Sequence, residues 1–287
     1  MRFLIGIPVG TIVVCVFAFG NVSLIILLLL GSWLALREFW AITQVDHPGS
    51  RFPLSRMGEI ATAILLISEW VYPIGSLDVL VALLLPIFFV FQLMARARGA
   101  SGFVREVAVV ALGVLYIGGF LSLILKLRNL QIHLEDIGAV TFTHGFFHDP
   151  NMIHFTLFPV LAGWCCDTAA FFSGKHFGKG KLAPTISPNK TVVGLVGGMI
   201  GSATGVTLYA WIIGLIGQVQ VSEMIAFGAL AGAFSQLGDL AVSAIKREAG
   251  MKDTGKLMGA HGGLLDRIDG FLFALPATYL FFRLIFG

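Results

Sequence analysis

Long apolar runs limit what this sequence can fold into. Three of them cover 22–36, 79–94 and 272–286. A hydrocarbon core about 30 Å thick needs roughly 20 apolar residues for one helix to cross it, so such runs predict transmembrane helices. The composition agrees, because the chain is 57% hydrophobic and 12% charged, whereas a soluble domain carries about 25% charged residues. We therefore predict an all-α membrane protein.

The apolar segments predict a polytopic helical bundle of about nine transmembrane helices, with boundaries accurate to several residues. The first segment is interpreted as a retained helix, since no small-residue cleavage site stands out before Asn21 and a second apolar run follows at once. The predicted spans are 3–19, 22–43, 57–73, 77–95, 103–126, 153–175, 191–217, 221–247 and 264–286.

The distribution of positive charge predicts the orientation of these spans. With the N-terminus on one side and alternating crossings, only Lys126, Arg128 and Arg283 of the 19 lysines and arginines fall on the opposite side. Lysine and arginine are enriched in cytoplasmic loops. We therefore expect a cytoplasmic N-terminus in the inner (plasma) membrane of a bacterium, and cytoplasmic segments at 37–56, 175–190 and 246–267.

Carboxylates cluster near the cytoplasmic ends of the last two predicted spans. Asp239, Ser243 and Lys246 are spaced i, i+4, i+7 and share one helix face, while Asp266 and Asp269 are spaced i, i+3. A carboxylate inside a membrane helix is costly and indicates function by default, although a structural Asp–Lys pair between helices is the alternative. Three converging carboxylates, at Asp239, Asp266 and Asp269, suit Mg²⁺ together with substrate phosphates, and a second cation is compatible with them.

A glycine-rich, basic segment, 248–263, connects these two spans. It contains Lys252, Lys256 and the doublet Gly262-Gly263 after His261. Glycines let backbone N–H groups approach phosphate oxygens, and the lysines add positive charge. An ordinary basic cytoplasmic loop is the alternative interpretation.

This region resembles the signature of the phosphatidate cytidylyltransferases, the CDP-diacylglycerol synthases. The matching residues are Ser243-x-Ile245-Lys246-Arg247, Lys252-Asp253-x-Gly255 and His261-Gly262-Gly263-Leu264-x-Asp266-Arg267-Ile268-Asp269. The resemblance extends upstream from Asp167 through Lys181, Ser187, Lys190 and Thr191. It departs at Val193, where the family usually has a glutamate.

The resemblance implies condensation of CTP with phosphatidic acid to CDP-diacylglycerol and pyrophosphate, dependent on Mg²⁺. We expect a single membrane domain, 1–287, with looser helices in 1–75 and a catalytic core in 153–287. Asp239, Asp266 and Asp269 are expected to bind metal, and these three with Lys246, Arg247, Lys252 and Arg267 form the predicted catalytic set. The predicted substrate-binding residues are Asp167, Lys181, Ser187, Lys190, Thr191, Ser243, His261, Gly262 and Gly263.

The expected partners are CTP, phosphatidic acid and the bilayer, with no nucleic acid. A Gly197, Gly201, Gly205 stripe predicts close helix contact within the chain or in a homodimer. Two other functions stay open. Val193 is compatible with a divergent paralogue that uses another lipid acceptor or is inactive. An ion-coupled transporter is disfavoured, because spans 77–95, 103–126 and 191–217 carry almost no ionisable residue at mid-depth.

Overall fold

The structure is a computed structural model that describes residues 21–45, 54–71, 103–128, 150–255 and 262–286. It is mostly helical. The helices are α1 (Asn21–Thr43), α2 (Leu54–Val71), α3 (Phe103–Gly113), a π-helical segment (Val114–Gly119), α4 (Phe120–Arg128), α5 (Pro150–Phe177), α6 (Val192–Ile212), α7 (Val221–Glu248) and α8 (Leu265–Phe286), and the strands are β1 (Lys181–Ala183) and β2 (Ser187–Thr191).

Six helical stretches in the described part of the chain are long and apolar enough to cross a membrane. They are Val22–Thr43, Val104–Arg128, His154–Phe177, Val192–Ile212, Val221–Glu248 and Leu265–Ile285, and they coincide with six of the predicted spans. The chain is thus a helical membrane protein. The predicted spans 3–19 and 77–95 lie outside the described residues, and the predicted span 57–73 coincides with α2, which contains Arg56, Glu59 and Glu69.

The chain divides into two compact units. Unit 1 comprises 1–24, 127–252 and 266–287, and unit 2 comprises 25–126 and 253–265. The expectation of a single membrane domain with a core in 153–287 stays a prediction.

In unit 1, α5, α6 and α7 pack side by side. The glycine stripe explains how α5 and α6 approach so closely. A Cβ at Gly197 would collide with the Ser173 hydroxyl, and one at Gly201 would collide with the Ala169 side chain. The stripe therefore serves contact within the chain. Deeper in the unit, Phe158 packs edge to face against Phe227, with ring centroids 6.0 Å apart.

A two-stranded antiparallel hairpin, β1–β2, connects α5 to α6. The sequence analysis placed a cytoplasmic loop here and did not predict the strands. The last strand residue, Thr191, is also the N-cap of α6, because its Oγ1 accepts the Gly194 N–H at 3.0 Å. The hairpin is thus joined to α6 without an intervening loop.

In unit 2, Trp40 of α1 packs against Gly58 of α2 and Gly113 of α3, where any Cβ would collide with its indole ring. Farther along, α2 and α4 are linked by an ion pair. The Lys126 Nζ lies 3.7 Å from the Glu69 Oε2, and the Glu69 side chain is fully buried. Burying an unpaired carboxylate is costly, so this pair fixes how the two helices align.

Candidate functional site

The first charged pair of the site joins the hairpin to α7. The Lys190 Nζ of β2 lies 2.7 Å from the Asp239 Oδ2 of α7 and also donates to the Gln236 carbonyl oxygen at 3.2 Å. Ser243, one turn along α7, donates its hydroxyl to the Asp239 Oδ1 at 3.2 Å. The predicted common face of Asp239 and Ser243 is therefore confirmed, and the partner of Asp239 is Lys190.

The second charged pair joins α7 to α8. The Lys246 Nζ lies 2.6 Å from the Asp266 Oδ1, and the two side chains are only 10% and 8% exposed. A charged pair this deeply buried retains most of its Coulombic attraction, since little water screens it. Lys246 is thus held by the neighbouring helix and does not pair with Asp239 on its own helix.

Asp269 is buried beside these pairs. Its Oδ1 accepts the Gly270 N–H at 2.7 Å, and its carboxylate interacts electrostatically with Asp239, Asp167 and Lys246. The close approach of α7 and α8 depends on Gly238, because a Cβ there would collide with the Asp269 carbonyl oxygen. Asp269 therefore lies close to like charges in an apolar surround, an arrangement that favours binding of a cation.

A further carboxylate reaches the site from α5. The Gln236 Nε2 donates to the Asp167 Oδ1 at 3.4 Å, and Asp167 interacts electrostatically with Asp239, Lys190 and Arg267. The site core therefore consists of four aspartates and two lysines from α5, β2, α7 and α8: Asp167, Asp239, Asp266, Asp269, Lys190 and Lys246.

The arrangement of the carboxylates bears on whether the site can hold a metal ion. Among the residues that the structure describes, no group of three or more His, Cys, Asp or Glu side chains is close enough to hold one. The three-carboxylate ligand set therefore stays a prediction. The donors still fit Mg²⁺ in character, because that ion is usually bound by one or two carboxylates together with water and substrate phosphates.

Several other predicted site residues lie around this core. Arg247 donates its Nε to the Ile186 carbonyl oxygen at 3.2 Å and its Nη1 to the Met251 carbonyl oxygen at 3.0 Å. It therefore links the hairpin turn to the segment after α7. Thr191 is buried as the cap of α6. Lys181, Lys252 and Arg267 have exposed side chains, and Ser187 is half-buried opposite Ala183.

The remaining predictions concern the glycine-rich segment. His261 lies outside the described residues. Gly262 has a φ of 79°, which glycine adopts without the strain that a Cβ would add. Gly263 packs against the Thr254 hydroxyl and the Glu38 carboxylate.

Sequence analysis missed two polar residues. Gln236 links Asp167 to α7, and its position one turn before Asp239 was the available signal. Glu38 is buried in α1 and accepts three hydrogen bonds from the segment before α8. A glutamate inside a strongly apolar helix was the signal for it.

Comparison with known proteins gives consistent results. A sequence model described as the cytidylyltransferase family matches residues 1–285. A phosphatidate cytidylyltransferase of Thermotoga maritima is 31% identical over 201 residues, which cover 69% of this chain and 67% of that protein. The Bacillus subtilis protein of the same name is 33% identical over 62% of this chain and 59% of its own length. That of Staphylococcus saprophyticus is 44% identical over 43% of this chain and 47% of its own length.

Proposed function

Because the chain belongs to the cytidylyltransferase family, we propose that it condenses CTP with phosphatidate to give CDP-diacylglycerol and pyrophosphate. The relatives named phosphatidate cytidylyltransferase support this choice of acceptor. The activity is that of a nucleotidyltransferase working in phospholipid biosynthesis. The observation that carries the proposal is the pairing of two lysines with aspartates beside the membrane helices: Lys190 of β2 with the partly exposed Asp239 of α7, and the buried Lys246 of α7 with Asp266 of α8.

Such pairs suit a substrate that is itself a chain of phosphates. Each lysine can exchange its carboxylate partner for a phosphate oxygen, and the released carboxylate can then face a cation that accompanies the nucleotide. No charge is left buried without a partner in either state, so the exchange avoids the large penalty of an isolated buried ion. Arg247, Lys252 and Arg267 add positive charge for the leaving pyrophosphate.

The chemical step needs alignment more than proton transfer. A phosphate oxygen of phosphatidate attacks the α-phosphorus of CTP, and the bond from that phosphorus to the oxygen bridging to the β-phosphorus breaks. The electron pair leaves with pyrophosphate. The attacking oxygen is already anionic, so no general base is required. The lysines hold the two phosphate groups in line and offset the negative charge that builds up between them.

Mg²⁺ is the divalent cation that we propose for this site, bound by one or two of the carboxylates of Asp239, Asp266 and Asp269 together with substrate phosphates. When bound, it would neutralise phosphate charge and favour departure of pyrophosphate. We expect that chelation with EDTA abolishes CDP-lipid formation and that added Mg²⁺ restores it. Full activity after exhaustive chelation would contradict the assignment of a metal to these carboxylates.

The proposal is tested with purified protein, CTP, phosphatidate and Mg²⁺, and formation of CDP-lipid is measured. Asp269→Asn keeps the side-chain shape but removes the charge, and we expect a rate at least ~100-fold lower, or about 2.7 kcal/mol of transition-state stabilisation. Glu223→Gln is the matched control. Glu223 caps the far end of α7 and lies about 24 Å along the helix from Asp239.

This assay tests the proposed activity and the role of Asp269 independently. Absence of CDP-lipid with the wild-type protein would refute the proposed function. Equal rates for Asp269→Asn and Glu223→Gln would leave the activity intact and remove Asp269 from the site. Replacing phosphatidate with other anionic lipids in the same assay tests whether Val193 accompanies a different acceptor.

A further inference from the structure

Glu38 is an acidic residue buried in the apolar helix α1. Only 9% of its surface is exposed. Its helix neighbours Leu36, Phe39 and Trp40 are buried, whereas the adjacent Arg37 is exposed. A carboxylate in such a position must be satisfied by strong donors, since desolvating an ionised group is otherwise prohibitive.

The donors come from Thr254, within the glycine-rich segment, and from the two residues that follow the segment. The Thr254 hydroxyl donates to the Glu38 Oε2 at 2.9 Å. The backbone N–H of Leu264 donates to Oε1 at 2.9 Å, and that of Leu265 donates to Oε2 at 2.8 Å. Hydrogen bonds to an ionised acceptor are about twice as strong as neutral ones. The Glu38 side chain thus contacts the chain at Thr254 and again at the start of α8.

Gly255 and Gly263 pack closely against the same carboxylate. A Cβ at Gly255 would lie 2.9 Å from the Glu38 Oε1. A Cβ at Gly263 would collide with both the Glu38 carboxylate and the Thr254 hydroxyl. Since any larger residue would displace the carboxylate, the space at these two positions is matched to Glu38.

Leu265 begins α8, and its N–H is one of the helix-terminal donors that have no partner inside the helix. A negative charge at this point also complements the helix dipole. The next residue is Asp266, and Asp269 follows within the first two turns. The contact therefore fixes the residue at which α8 starts and, with it, the start of the segment that carries both aspartates.

We propose that Glu38 is a positioning residue for the nucleotide site: by accepting hydrogen bonds from Thr254, Leu264 and Leu265, it fixes the start of α8, whose second residue is Asp266. This inference rests on the proposed function, which places Asp266 in the nucleotide site. The partners of Glu38 in these contacts are protein groups. Its effect on the reaction is therefore transmitted through Thr254, Leu264 and Leu265.

The test compares Glu38→Gln with Gly263→Ala, which perturbs the same contact without removing the charge. We expect the KM for CTP to rise about 10-fold in each, as for loss of one charge-assisted hydrogen bond, while the KM for phosphatidate stays within about twofold. The double variant should be no worse than the more impaired single variant, because the two substitutions break one shared contact. Glu223→Gln, which alters a glutamate at another helix start, should change neither KM.

A role limited to folding predicts a different result. It would lower the fraction of active protein, and so kcat, while both KM values stayed as in the wild type; that pattern would overturn the inference. Thr254→Val, which removes one donor, provides a milder variant if Glu38→Gln does not fold. It should raise the KM for CTP in the same direction.

Amide hydrogen exchange separates this inference from the proposed function. In Glu38→Gln, the amides of Leu264 and Leu265 should exchange at least about 10-fold faster than in the wild type, whatever reaction the protein catalyses. Unchanged exchange at both amides would refute the positioning role. Absence of CDP-lipid from the wild type would refute the proposed function alone.

Discussion

At the scale of single residues, the Lys190–Asp239 pair is open to two interpretations. The pair can hold the hairpin against α7, or it can supply the charges that bind phosphate. The geometry accommodates both, because the Asp239 side chain is 41% exposed while Lys190 is 16% exposed. Removing one partner leaves the other charge uncompensated, so single substitutions do not distinguish the two roles.

A double substitution does distinguish them. We expect Lys190→Met and Asp239→Asn each to lower the free energy of unfolding by about 1–2 kcal/mol, less than for a fully buried pair. The neutral double variant should recover most of that stability, yet form CDP-lipid at least ~100-fold more slowly than the wild type. Thermal unfolding in detergent and the CTP assay measure the two quantities.

Lys179→Met serves as the control, since Lys179 is an exposed lysine of the same connection. Recovery of activity together with stability in the double variant would assign the pair to structure alone.

At the scale of elements, the contact between α5 and α6 depends on the absence of side chains. The stripe at Gly197, Gly201 and Gly205 brings the α6 backbone against Ala169 and Cys165 of α5. Without a hydrophobic driving force between helices in lipid, such close packing is a main source of association. The neighbouring Ile200 points away from this contact and is 62% exposed.

The stripe predicts that substitutions at two adjacent positions differ in their effect on stability. Gly201→Ala should destabilise the protein by about 1–3 kcal/mol, because the added methyl group overlaps Ala169. Ile200→Ala, on the exposed face, should change stability by less than about 0.5 kcal/mol. Adding Ala169→Gly to Gly201→Ala should restore part of the loss. Equal stability of the two single variants, measured by unfolding in mixed micelles, would contradict tight packing at Gly201.

Sequence patterns predicted where the helices lie, but they did not predict which side chains pair between elements. Apolar length located six spans to within a few residues, because burial in lipid requires long uninterrupted runs. Helical spacing placed Asp239 and Ser243 together, since both lie on one helix. It could not identify Lys190 as the partner of Asp239, or Lys246 as that of Asp266, because those pairs depend on tertiary contacts between elements. The contact of Glu38 with Leu265, 227 positions away, was likewise beyond any local pattern.

At the scale of the whole molecule, the two ends of α6 predict the orientation in the membrane. The helix has 21 residues and is about 31 Å long, so its ends lie on opposite sides of a hydrocarbon core. The hairpin with its lysines precedes the helix, and a short turn, 213–220, without lysine or arginine follows it. The positive-inside rule therefore predicts that the hairpin lies in the cytoplasm.

Cysteine labelling tests this orientation. In a variant lacking native cysteines, Lys181→Cys on exposed β1 should react with a membrane-impermeant maleimide in inverted membrane vesicles and stay unlabelled in spheroplasts. Gln218→Cys, exposed in the turn after α6, should behave in the reverse way. Labelling of Lys181→Cys in intact spheroplasts would place the site on the outer side, where CTP is not available.

The direct junction of β2 and α6 has a mechanical consequence. Lys190 contacts the Asp239 carboxylate, and the next residue, Thr191, caps the membrane helix. Because no residue separates them, we expect a shift of the Lys190 backbone to displace the first turn of α6, which packs closely against α5 along the glycine stripe. We therefore expect occupancy of the site to be coupled to the packing of α6 in the bilayer, so that bilayer thickness and lateral pressure influence the structural element that holds the lysine.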